Sequence, residues 1–93
     1  MSDPFEQLIN ERVVLDTATP IVYIGTLIEL SEHAFVLIHA DMHDCRDGHA
    51  NKEVYVAEMS RSFAEQVVAN RRRVIVMRSA VISVSRLEDV IAD

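Results

Sequence analysis

Four side chains able to hold a metal or move a proton alternate along one short stretch of this chain: His39, Asp41, His43 and Cys45. On a continuous strand that spacing sends all four to one face, with His49 close by in the turn that follows. Imidazole, carboxylate and thiolate are ligand types that zinc takes. Neighbours at this spacing stand almost two residue rises apart, so a second strand or subunit would have to complete a site. The other reading is a polar strand face whose titratable groups could serve as a pH-sensitive contact between subunits. Nothing resembles a nucleophile with its base and orienting group: Ser79, Ser83 and Ser85 read as turn and strand residues, and Cys45 lies among acids that raise a thiol's pKa. There is no glycine-rich phosphate loop. The chain therefore reads as a binding protein without a cofactor, not as an enzyme.

The cations make a second group. Arg71-Arg72-Arg73 opens a continuous apolar run, Val74 to Met77, which ends at Arg78-Ser79; Ala80 to Val84 follows as a second apolar strand. Two readings of the arginine run stand side by side, a phosphate contact and a solvated loop end that offsets an acidic surface. Val74 to Met77 lacks the in-out alternation of a strand with one wet face, so both of its faces want cover. A chain this short buries one face in its own core, and the second is expected to meet another copy of the chain.

Ninety-three residues predict one domain, residues 1–93. Hydrophobic residues are abundant but aromatic ones scarce, with no Trp, two Tyr and three Phe, so the core must be Val, Ile and Leu, which is strand-rich material. The formal charge of −6 argues against general attraction to DNA or to an anionic membrane. A single cysteine excludes an intrachain disulfide, no apolar run reaches the length of a membrane span, and Asp3 and Glu6 interrupt any signal-like start. A cytoplasmic location is expected.

Asp3-Pro4-Phe5-Glu6 is a helix-start pattern, and Phe5, Leu8 and Ile9 give a short helix one apolar stripe. Strands are expected from Val13 to Leu15, from Ile21 to Leu30 with Gly25 marking a bend or close approach, and from Ala34 to Ile38 with an extension to Asp44. Asp47-Gly48 signals a turn, Glu53-Val54-Tyr55-Val56-Ala57 looks like another strand, residues 60–70 are ambiguous, and Ser85-Arg86-Leu87-Glu88 predicts a closing helical turn through Ile91.

Two segments carry a family resemblance. Tyr23-Ile24-Gly25-Thr26-Leu27 has the order aromatic, any residue, glycine, any residue, apolar, and runs without a gap into Ser31-Glu32-His33-Ala34-Phe35. Val76-Met77-Arg78-Ser79 follows later, with Ala80-Val81 behind it. In that order, behind a short helix, these segments resemble the two sequence motifs of the Sm-like family, and the second is also similar to the bacterial RNA-chaperone branch of that superfamily. The resemblance covers residues 4 to 86 and implies an all-β fold: a small, strongly bent five-stranded barrel with an N-terminal α-helix, assembled into a homo-oligomeric ring through its fourth and fifth strands. It implies single-stranded RNA as the partner, held near the pore by a stacking ring and a cation. Carried over residue by residue, His33 is the ring and Arg78, with Ser79 after it, the cation, assisted by Arg71, Arg72 and Arg73. Phe35 stands where the family has an edge-reading Asn, so it either stacks on a base or joins the core. The competing expectations are an oligomeric scaffold of the same fold without RNA-binding activity and a metal-dependent assembly that uses the His39, Asp41, His43 and Cys45 face.

Overall fold

The computed structural model describes residues 4–46, 51–61 and 69–91. Phe5, Leu8 and Ile9 do lie on the core as an apolar stripe, but the helical segment is a single 3₁₀ turn, Glu6–Leu8, not a longer α-helix. Asn10 then takes a left-handed φ of 70° and its N–H donates to the Leu27 carbonyl, which turns the chain back along the sheet. Asn tolerates that backbone better than most residues. The expected cap at Asp3 falls outside the described residues.

Among the described residues five antiparallel strands make one sheet: β1 (Arg12–Thr17), β2 (Ile21–Leu30), β3 (Ala34–Asp44), β4 (Arg71–Met77) and β5 (Val81–Arg86). Their order is β4-β3-β2-β1-β5. The outermost strands, β4 and β5, are joined only by the three-residue 3₁₀ turn Arg78–Ala80. Two opposite edges linked so briefly must come together at that end, so the sheet is bent hard around its own core. Val13, Leu15, Leu27, Phe35, Leu37, Ala40 and Val76 fill the inside of the bend.

A bulge in β3 helps to set the curvature. Ile24 pairs with Asp41 but Thr26 with Ile38, so His39 and Ala40 together oppose Gly25, with His39 at a φ of 47°. A bulge of this kind bends and twists its strand. Gly25 is required there by contact: a Cβ on it would lie 2.9 Å from the Ala40 Cβ and 3.2 Å from the Ile38 carbonyl oxygen.

The strand expected over Glu53 to Ala57 is instead part of a helix, α1 (Lys52–Arg61). Asn51 caps it, its side-chain oxygen accepting the Val54 N–H at 2.9 Å while its carbonyl accepts from Tyr55. The helix lies over the outer face of the sheet and closes a second, smaller core of Val14, Val22, Ile24, Tyr55 and Leu87. The turn signal at Asp47-Gly48 and most of the ambiguous stretch, residues 62–68, lie outside the described residues. The closing turn is present as a 3₁₀ segment, Leu87–Asp89, with no side-chain cap from Ser85. No helix among the described residues is long and apolar enough to cross a membrane.

Candidate nucleic-acid interface

The β2–β3 turn is built by Ser31. Its N–H donates to the Ala34 carbonyl at 2.9 Å, and its Oγ accepts the N–H groups of His33 and Ala34, both at 3.2 Å. Such a turn leaves the next side chains outside: His33 is 80% exposed, with Glu32 beside it at 3.8 Å. Because β3 pairs with β4, Ala34 opposite Met77, this turn meets the β4–β5 turn at one end of the sheet. The Arg78 N–H donates to the His33 carbonyl at 2.8 Å, and the Arg78 Nη1 donates to the Ser31 carbonyl at 2.7 Å.

Arg78 also rests on aromatic rings. Its guanidinium carbon stands 4.5 Å from the Phe5 centroid and 5.5 Å from that of Phe35, and the two rings meet edge to face at 5.6 Å. A guanidinium so held is attracted by ring faces and kept in one orientation. Phe35 itself is only 1% exposed. Its ring is therefore a core residue and pedestal, not a surface on which a base could stack, and the stacking expectation for it is corrected. Ser79 is exposed in the turn beside Arg78. Phe5 was not legible as a site residue: its apolar spacing placed it in the core, and nothing in the sequence ties it to Arg78.

Arg71, Arg72 and Arg73 are all exposed, but they occupy the other end of β4, opposite Ala40 to Ile38. Roughly 13 Å of strand separates Arg73 from Met77. The run is thus not beside the Arg78 turn. It begins where Asn70 extends the sheet, the Asn70 side chain accepting the Met42 N–H and donating to the Met42 carbonyl, both at 2.9 Å.

The alternating His39, Asp41, His43 and Cys45 do not stay together. The bulge leaves His39 exposed, while the other three face α1. The Tyr55 hydroxyl donates to the Asp41 carboxylate, and the His43 ring stacks on Tyr55 at 4.0 Å with planes 7° apart. Burial, and then the neighbouring Asp41, push the Tyr55 hydroxyl well above its ordinary pKa of 10.0. Cys45 joins the second core, and desolvation raises its thiol as well. Among the described residues no three His, Cys, Asp or Glu side chains are grouped to hold a metal ion. The stretch that could have bound metal is used largely to dock α1.

Comparison with solved structures decides the fold. The Sm protein of Pyrococcus abyssii, solved in complex with a uridine heptamer, superposes with a TM-score of 0.60 over 91% of this chain and 99% of that one, at 18% identity. This chain has the Sm fold. No family model matches the sequence, and no curated protein matches it. Within the Sm fold, the end of the sheet that carries His33 and Arg78 is formed by the two turns that the sequence resemblance singled out.

Proposed function

We propose that this chain is a ring-forming Sm-fold protein that holds single-stranded RNA where the β2–β3 and β4–β5 turns meet. The observation that carries this reading is the placement of Arg78, fixed by the Ser31 carbonyl and two phenyl rings next to an exposed imidazole at His33. An oriented guanidinium and a solvent-facing ring are the groups that grip a splayed base or its phosphate. The ring would form by adding the β4 edge of one copy to the β5 edge of the next. Exposed Ile75, Met77 and Ile82, each more than half accessible, support cover by a second copy. Repetition around an axis would let weak single contacts act together despite the acidic whole-molecule charge.

A second reading, an oligomeric scaffold without RNA, is favoured by one specific observation. Phe35 is buried where a family member would present an edge-reading amide, and Arg78 already spends one donor on Ser31. Titrating the protein with short single-stranded RNAs of different composition at two salt concentrations separates the two readings. RNA binding predicts affinity that falls as salt rises. A defined oligomer with no affinity for any of the RNAs would leave the scaffold.

A further inference from the structure

Around the exposed imidazole of His33 the two turns leave polar groups of opposite hydrogen-bonding character. Glu32 precedes it in the β2–β3 turn, with its Oε1 3.8 Å from the His33 Nε2 and its side chain 86% exposed. Arg78 reaches it from the β4–β5 turn, the Arg78 N–H donating to the His33 carbonyl. An ionised carboxylate only accepts hydrogen bonds, and a guanidinium only donates them.

The fold does not use these groups up. Among the described residues the Arg78 side chain makes one hydrogen bond, from Nη1 to the Ser31 carbonyl, so its parallel Nε and Nη2 donors stay open. Glu32 contacts only that imidazole among the described residues. The Ser31 Oγ, by contrast, already accepts the N–H groups of His33 and Ala34, and Phe35 is buried. The exposed Ser79 hydroxyl can donate or accept, so it does not discriminate between bases. What remains to read a base edge is an acceptor pair on Glu32 and a donor pair on Arg78, beside a ring able to stack.

The four bases meet that set differently. Guanine carries two adjacent donors, N1–H and the N2 amino group, on its Watson–Crick edge and two acceptors, O6 and N7, on its Hoogsteen edge. It satisfies carboxylate and guanidinium together. Uracil has its N3–H flanked by two carbonyl oxygens, which a carboxylate repels. Adenine and cytosine each offer one amino group next to a ring nitrogen that is itself an acceptor. A phosphate suits Arg78 but is repelled by Glu32.

We propose that this junction reads guanine in single-stranded RNA, with Glu32 accepting from N1–H and the N2 amino group, Arg78 donating to O6 and N7, and His33 stacked on the base. The proposal rests on the RNA reading above and adds the base that the site selects.

The test measures binding of short labelled oligomers to the full chain by fluorescence anisotropy. An oligomer alternating guanosine with uridine, which avoids the self-association of guanosine runs, is compared with all-uridine and alternating adenosine–uridine oligomers. The guanosine oligomer should bind about fivefold tighter or more, the least that one well-made base contact supplies. Replacing guanosine by inosine, which lacks the N2 amino group, should cost wild type several-fold and Glu32→Ala nothing. Replacing it by 7-deazaguanosine, which lacks N7, should cost wild type several-fold and Arg78→Ala nothing. Free GMP should not displace the oligomer at comparable concentration; if it does, the ligand is a mononucleotide and the proposal falls. Should Glu32→Ala tighten every oligomer alike and keep the guanosine preference, the carboxylate merely repels phosphate and does not read the base. If all the oligomers bind wild type equally, guanine reading is wrong while RNA binding stands; if none binds, both fall.

Discussion

The backbone N–H of Arg78 donates to the carbonyl of His33 at 2.8 Å, tying the β4–β5 turn to the β2–β3 turn. Forty-odd residues of sequence separate the two, yet this bond brings the backbones that carry an exposed imidazole and a guanidinium together at one end of a curved sheet. The side-chain bond from Arg78 to Ser31 acts across the same junction. On the RNA-binding reading proposed above, a base entering there would meet a guanidinium already oriented by folding, which lowers the cost of binding.

The first prediction concerns the pedestal. Phe5→Leu keeps apolar volume on the core but removes a ring face from beneath Arg78. RNA affinity should drop by about 0.5–1 kcal/mol, the range of an exposed cation–π contact, and Phe5→Trp should recover it. Equal affinities for all three proteins, measured by fluorescence anisotropy, would show that the ring does not orient the arginine.

A second prediction concerns Gly25. Gly25→Ala forces a Cβ to within 2.9 Å of the Ala40 Cβ and 3.0 Å of its Cα, contacts that only a backbone shift at the bulge can relieve. The cost of such overpacking is about 1–3 kcal/mol, read as a lowered denaturation midpoint. An unchanged midpoint would mean that the bulge yields freely.

Alkaline pH should loosen α1. Tyr55 is held neutral by burial and by Asp41, so its folded-state pKa lies above the unfolded value of 10.0. A raised pKa means stability that is fully present below pH 10 and is lost progressively as the pH climbs above it. Tyr55→Phe removes the hydrogen bond to Asp41 and should lower stability by about 1–3 kcal/mol at neutral pH. It should also flatten the alkaline decline. If the wild type and Tyr55→Phe lose stability in parallel above pH 10, some other group is responsible.

How far the fold could be read from sequence depended on which force decided each segment. β2 was legible to the residue, and β3 to its end, because apolar pattern and turn signals agree around Thr17 to Pro20 and Ser31 to His33. The α1 segment was misread because Val54, Tyr55 and Val56 favour a strand locally, whereas the Asn51 cap and the packing of Tyr55 over Ile24 and Leu87 favour a helix. The bulge at His39 has no signal of its own. It follows from the close approach at Gly25, and it is what removed His39 from the row it shares with Asp41 and His43. At the candidate site, His33 and Arg78 were legible through their turns. Phe5 and the distance of the arginine run were not, since both depend on how far β4 extends and where the N-terminal turn lies.

The most direct measurement is a comparison of wild type and Arg78→Ala binding to short single-stranded RNA, with the oligomer checked by light scattering in both. Arg78 sits at a turn between strands and is partly exposed, so its removal should leave the sheet and the assembly in place. The account predicts salt-sensitive binding by the wild type and a loss on the order of 1–3 kcal/mol per contacted base in the variant. Wild-type protein that binds no RNA at any salt concentration, or an Arg78→Ala variant that binds as tightly as the wild type, would contradict it.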